Sequence, residues 1–178
     1  MIPEREMILF TIEPEPFPKE KISEKLRENG ILTNRYAEEF FSHPGFATEW
    51  AERSDIVIIS LSELGFSEGA TLEEVVRRLP ALQLKPCDAS TGLFFRFAWK
   101  DQQISRNSVI SGTHEVPDSA VTVLSEPLEK DDAFPKGLYL RNVDGKLWLR
   151  GYICDSVYRF PGDALFAVKK TEIGETDP

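Results

Sequence analysis

The stretch LYLRNVDGKLWLRGYI, residues 138–153, says most about the fold of this chain. Apolar and polar residues alternate on both sides of Asp144-Gly145, a dipeptide typical of the two-residue turn between antiparallel strands. The spacing predicts a β-hairpin in which Val143 lies opposite Lys146. Since successive side chains of a strand point to opposite faces, the hairpin should present two faces of different chemistry.

One predicted face is aliphatic and belongs to a core, and the other carries aromatic and arginine side chains. The aliphatic residues are Leu138, Leu140, Leu147, Leu149 and Ile153; the candidate binding residues are Tyr139, Arg141, Trp148, Arg150 and Tyr152. Tyrosine, tryptophan and arginine are enriched at binding hot spots because they offer rigid contact area with a polar end. We expect this second face to bind a partner protein, or a planar or anionic small ligand. The alternative is that these side chains only stack on one another, or that a helix covers them.

The remaining elements indicate an α+β fold. Further strands are predicted over residues 6–13, 55–61, 93–99, 120–124 and 164–169, and helices over residues 19–30, 34–42 and 71–80. Thr71 followed by Glu74 is the spacing of a capping box at a helix start. We therefore expect a mainly antiparallel β-sheet in the second half, with two to three helices concentrated in the first half. Residues 1–170 should form a single globular domain, and residues 171–178 a frayed tail.

Several short segments resemble a family of small bacterial proteins of unknown function. They are DIVIISLSELGF (55–66), Gly69-Ala70-Thr71, LKPC (84–87), LWL (147–149) and FAV (166–168), and the similarity runs from about His43 to Lys170. Where that family tends to continue from the cysteine with PAEVG, this chain has DASTG at residues 88–92. The resemblance implies a bacterial, self-contained domain and supplies no catalytic residues.

Composition excludes several classes of function. With a formal net charge of −9, the chain is a poor candidate for direct binding to nucleic acid, which depends on clustered Lys and Arg. No leader-like segment or membrane-spanning stretch is present, so a cytoplasmic location is expected. Cys87 and Cys154 are the two cysteines, and we predict that they form no disulfide. No metal-ligand motif or phosphate loop indicates a cofactor.

Three functional hypotheses follow from the sequence. The first is a non-catalytic interaction or binding domain that uses the aromatic and arginine face of the hairpin. The second is a small-molecule-binding or enzymatic domain with a pocket near Cys87 and Arg96, although a triad of Cys87 with a histidine and Asp88 has no support beyond co-occurrence. The third is an acidic inhibitor that mimics nucleic acid in the basic groove of a partner enzyme.

Overall fold

The computed structural model describes residues 8–105 and 119–172 of the 178-residue chain. Eight strands, four α-helices and two short 3-10 helices, Lys19–Lys21 and Leu79–Leu82, are present in this part. The strands are β1 (Ile8–Ile12), β2 (Ile31–Thr33), β3 (Ser54–Ser60), β4 (Leu84–Lys85), β5 (Val121–Val123), β6 (Gly137–Val143), β7 (Lys146–Tyr152) and β8 (Leu165–Lys170). The α-helices are α1 (Ile22–Glu28), α2 (Arg35–Ser42), α3 (Leu72–Arg78) and α4 (Thr91–Ala98).

All eight strands form one sheet that is mostly antiparallel. Its order is β1-β3-β8-β5-β6-β7-β2, with β4 added beside β8. Only the pairs β2–β7 and β5–β8 are parallel within the described residues. Helices α1, α2 and α4 contribute to the larger hydrophobic core on one face, whereas α3 contributes to a second core on the other face. The predicted mixture of helices and a mainly antiparallel sheet is therefore confirmed.

Helices are less clearly segregated along the chain than the sequence predicted. The four described α-helices lie between Ile22 and Ala98, and strands β1 to β4 are interspersed among them. The prediction omitted β2 and β4, which have three and two residues and are too short to show an alternating pattern. Within the described ranges, no helix combines the length and apolar composition needed to cross a bilayer.

The hairpin prediction is confirmed in its register. Val143 pairs with Lys146, Arg141 with Trp148 and Tyr139 with Arg150. The turn residues Asp144 and Gly145 have φ values of 53° and 82°, the left-handed conformation that a type I′ turn requires at both central positions. The predicted capping box is also present, since the Thr71 side chain accepts the Glu74 N–H and the Glu74 carboxylate accepts the Thr71 N–H.

The strand predicted over residues 93–99 is wrong, because Thr91–Ala98 is helix α4. Phe95 and Trp99 stack as an i, i+4 pair, with ring centroids 5.2 Å apart and planes 11° apart. Nearly every side chain of α4 is buried, so polar positions that would reveal a helical period are missing. Gly92 lets α4 approach the sheet closely, since a Cβ there would lie 3.1 Å from Leu138 Cβ.

Candidate functional site

Strands β6 and β7 place the five candidate binding residues on one face of the sheet. Tyr139 and Arg150 form one cross-strand pair, and Arg141 and Trp148 form the next. Leu32 of strand β2 pairs with Trp148 and is 39% exposed, so it extends the same face toward the sheet edge. Leu32 was not predicted as a site residue, because β2 itself was not recognised in the sequence.

Two of the five residues are engaged by the interior. Arg141 is only 3% exposed, and its Nε donates a hydrogen bond to Ser105 Oγ at 3.0 Å. Tyr152 lies across its cross-strand partner Gly137, where an added Cβ would come within 3.3 Å of the Tyr152 hydroxyl. That hydroxyl is enclosed without a hydrogen-bond partner in the described part of the chain, and burial raises the pKa of the phenol. These two side chains therefore contribute to packing rather than to the accessible part of the face.

Trp148, Arg150 and Tyr139 are half-buried and form the accessible part of the face. The Arg150 guanidinium carbon lies 5.0 Å above the Trp148 ring centroid, in a cation–π arrangement. Burial raises the pKa of the Tyr139 hydroxyl, and the positive charges of Arg150 and Arg141 partly offset this effect. We define the Trp–Arg patch by these three residues with two neighbours on the same face, Leu32 and the exposed Lys146.

The Trp–Arg patch has the opposite charge from the chain as a whole. The face positions of β6 and β7 are residues 137, 139, 141 and 143 and residues 146, 148, 150 and 152. Lys146 and Arg150 of the patch and the buried Arg141 occupy three of these positions, and no aspartate or glutamate occupies any of them. The chain carries a formal net charge of −9, so this local excess of cations is not a consequence of average composition.

Arg96 is fully buried and belongs to a polar network under the opposite face of the hairpin. Its guanidinium donates hydrogen bonds to Gln102 Oε1 at 2.6 Å and to the carbonyl oxygens of Trp99 and Trp148, the latter at 3.4 Å. Burial lowers the pKa of Arg96 to about 10. Gln102 continues the network by donating to the Leu140 carbonyl at 3.0 Å. These hydrogen bonds connect α4 and Gln102 to β6 and β7. Because Arg96 is fully buried, its guanidinium is not accessible to a ligand.

Cys87, the candidate nucleophile, is enclosed by the fold. Cys87 is buried with its Sγ 3.7 Å from the Ala167 carbonyl oxygen, and burial is the main cause of a strongly raised pKa for its thiol. Neither of two clefts formed by described residues is lined by Cys87 or Arg96. Cys87 and Cys154 are both free thiols, with no disulfide between them.

His43, the one histidine among the described residues, forms hydrogen bonds with groups other than Cys87. His43 Nε2 lies 2.7 Å from Glu129 Oε1, and His43 Nδ1 accepts the Gly45 N–H at 2.9 Å. Both ring nitrogens are therefore occupied, and no hydrogen bond joins His43 to Cys87. The second histidine, His114, lies outside the described residues. Among residues 8–105 and 119–172, no group of three or more His, Cys, Asp or Glu side chains could hold a metal ion.

Known proteins offer no guide to this arrangement. The chain matches no protein-family model, no curated protein and no solved structure. The resemblance to small bacterial proteins of unknown function therefore stays a prediction, and the site must be interpreted from its own geometry.

Proposed function

We propose that this chain is a non-catalytic interaction domain that binds an acidic segment of a partner protein through the Trp–Arg patch. The observation that carries the proposal is the half-exposed stack of Arg150 on Trp148, among face positions of β6 and β7 that hold cations and no carboxylate. An aromatic ring that fixes an arginine in place lowers the entropic cost of binding, and the guanidinium can donate two parallel hydrogen bonds to a carboxylate. Leu32 adds apolar contact area beside the charged group.

The enclosed polar groups favour binding over catalysis. Cys87 is buried and held as a neutral thiol, and the His43 ring is committed to Glu129 and Gly45. A nucleophile and its base need to be within hydrogen-bond reach of each other and of a substrate. The resemblance to small bacterial proteins supports a bacterial and cytoplasmic setting as part of the same proposal.

An acidic mimic of nucleic acid has weaker support. Three carboxylates of the acidic loop around residues 126–132 have partners within the chain. Glu129 contacts His43, Asp131 Oδ1 accepts the Ala133 N–H, and Asp132 lies 3.8 Å from the buried Lys136 ammonium. Carboxylates with internal partners are less available to a basic groove.

The proposal is tested by NMR titration of the isotope-labelled chain with a 12-residue peptide of glutamates around one phenylalanine. The control is the same peptide with glutamine in place of glutamate. We expect saturable shifts of the Trp148 indole N–H and the Arg150 Nε–H with the acidic peptide only. Trp148→Ala and Arg150→Ala should each weaken binding about tenfold, which is what the loss of one good contact, about 1.4 kcal/mol, produces.

Arg77→Ala is the matched control for loss of one positive charge. Arg77 is exposed on α3 and pairs with Glu73, away from the hairpin. It should leave peptide affinity within about twofold, since long-range charge effects are screened over roughly 10 Å at 0.1 M salt. Equal binding of the two peptides would refute the proposal, and so would tighter binding of a single-stranded DNA probe to the same residues.

A further inference from the structure

A cleft lies across the sheet from the Trp–Arg patch, where α1, α4 and the segment after β1 meet. It is a half-open cleft of about 300 Å³. Its floor consists of three aromatic rings, Phe17, Phe94 and Phe97, whose centroids lie 5.6 to 6.3 Å apart. Ligand pockets are typically apolar concavities with a few polar groups at defined places, and this volume is at the small end of their range. The cleft therefore suits a compact ligand with an apolar body.

The rim of this cleft carries both signs of charge. Lys25 from α1 lines the cleft with its ammonium 5.0 Å above the Phe17 ring centroid, and it is in no ion pair with any described residue. Glu13 and Glu15, from the segment after β1, supply carboxylates. Glu13 lies 3.7 Å from Arg53, whereas Glu15 is exposed and has no ion pair in the described ranges. Within the described ranges, one cation and one carboxylate that form no ion pair thus border an aromatic floor.

We infer that this cleft binds a free α-amino acid with an apolar side chain. Its carboxylate is held by Lys25, its ammonium by Glu15, and its side chain packs on the three phenylalanine rings. A purely anionic or purely cationic ligand would leave one rim charge without a counter-charge, whereas a zwitterion compensates both. The aromatic floor favours a flat or branched side chain, because ring contacts add to apolar burial. This site is separate from the Trp–Arg patch and does not depend on the proposed interaction with a protein.

Three related probes separate the two charge contacts from the apolar contact. They are L-phenylalanine, 3-phenylpropionate, which lacks the amine, and phenethylamine, which lacks the carboxylate. Saturation-transfer difference NMR with the full chain should show saturable binding of L-phenylalanine, with each incomplete probe at least about tenfold weaker. Equal affinity for all three probes, or no saturable binding of L-phenylalanine in the millimolar range, would overturn the inference.

Substitutions of single rim charges assign each contact, since neither Lys25 nor Glu15 is buried. Lys25→Met should weaken L-phenylalanine about tenfold and leave phenethylamine unchanged. Glu15→Gln should weaken L-phenylalanine and leave 3-phenylpropionate unchanged. Lys21→Met and Glu20→Gln are the matched controls, since both residues are exposed and neither lines the cleft. Effects of the same size in the controls would attribute the result to net charge and refute the site.

Discussion

Replacing Asn34 by alanine should destabilise the fold by about 3 kcal/mol, because one amide side chain connects helix α2 to strand β7. Asn34 Oδ1 accepts the N–H groups of Ala37 at 2.9 Å and of Gly151 at 2.8 Å, and its Nδ2 donates to the Gly151 carbonyl at 3.0 Å. Loss of the helix cap costs about 1 kcal/mol. Loss of the two bonds to Gly151 costs about 1 kcal/mol each.

Urea unfolding followed by circular dichroism measures this free energy, and thermal unfolding gives a second estimate. For a chain of this length, a loss of about 3 kcal/mol lowers Tm by about 6–12 °C. Asn34→Asp keeps both accepted hydrogen bonds and loses the donated one, so its effect should be smaller than that of Asn34→Ala. Gln103→Ala removes an exposed amide and serves as the control.

Unfolding of Asn34→Ala at the same urea concentration as Gln103→Ala would refute this role of Asn34. A larger loss of stability in Asn34→Asp than in Asn34→Ala would also refute it, because the two accepted hydrogen bonds would then not be the main contribution of this side chain. The first result would mean that α2 is held on β7 by apolar packing alone.

Three further predictions concern packing, capping and thiol chemistry. Gly151→Ala should cost about 3 kcal/mol or prevent folding, because its Cβ would lie 2.5 Å from the Tyr36 carbonyl carbon; urea unfolding at wild-type stability would contradict this. Thr71→Ala should cost about 1 kcal/mol through loss of the capping box, and a change below about 0.3 kcal/mol in the same assay would show that α3 needs no cap. Burial is the main cause that raises the pKa of Cys154 to about 11, so in a Cys87→Ala variant the alkylation rate should rise about tenfold per pH unit from 7 to 9. A rate that levels off near pH 8.5 would indicate an ordinary thiol. Because the pKa of Cys154 is raised in the folded state, ionisation of this thiol is disfavoured there. The contribution of Cys154 to the free energy of unfolding therefore falls as pH rises above about 8.5.

Local signals in the sequence identified most of the regular elements. The Asp144-Gly145 turn specified the hairpin register because both residues readily adopt positive φ, and the Thr71 to Glu74 spacing specified the start of α3. Helix α4 was mistaken for a strand because a short buried run of aromatic residues fits either structure. Its rings pack on distant residues such as Phe10 and Phe17, and the local pattern does not show these contacts.

The candidate site was predicted in composition but not in accessibility. Alternation along β6 and β7 correctly grouped the five residues on one face, since strand geometry alone determines this. Arg141 is buried against Ser105, and Tyr152 is enclosed by Gly137 and Phe160. The alternating pattern of the hairpin does not predict these contacts between distant residues. The cleft was missed for the same reason, because its phenylalanines come from segments separated by more than 70 residues.

Emission of Trp148 during titration with the acidic peptide tests the central claim most directly. A Trp50→Phe/Trp99→Phe variant leaves Trp148 as the single tryptophan, since the chain has three. We predict a saturable blue shift with the glutamate peptide, weaker at high salt and absent with the glutamine peptide, as burial of Trp148 beside a paired Arg150 requires. An unchanged spectrum, or the same shift with both peptides, would contradict the assignment of the Trp–Arg patch as a surface for an acidic partner.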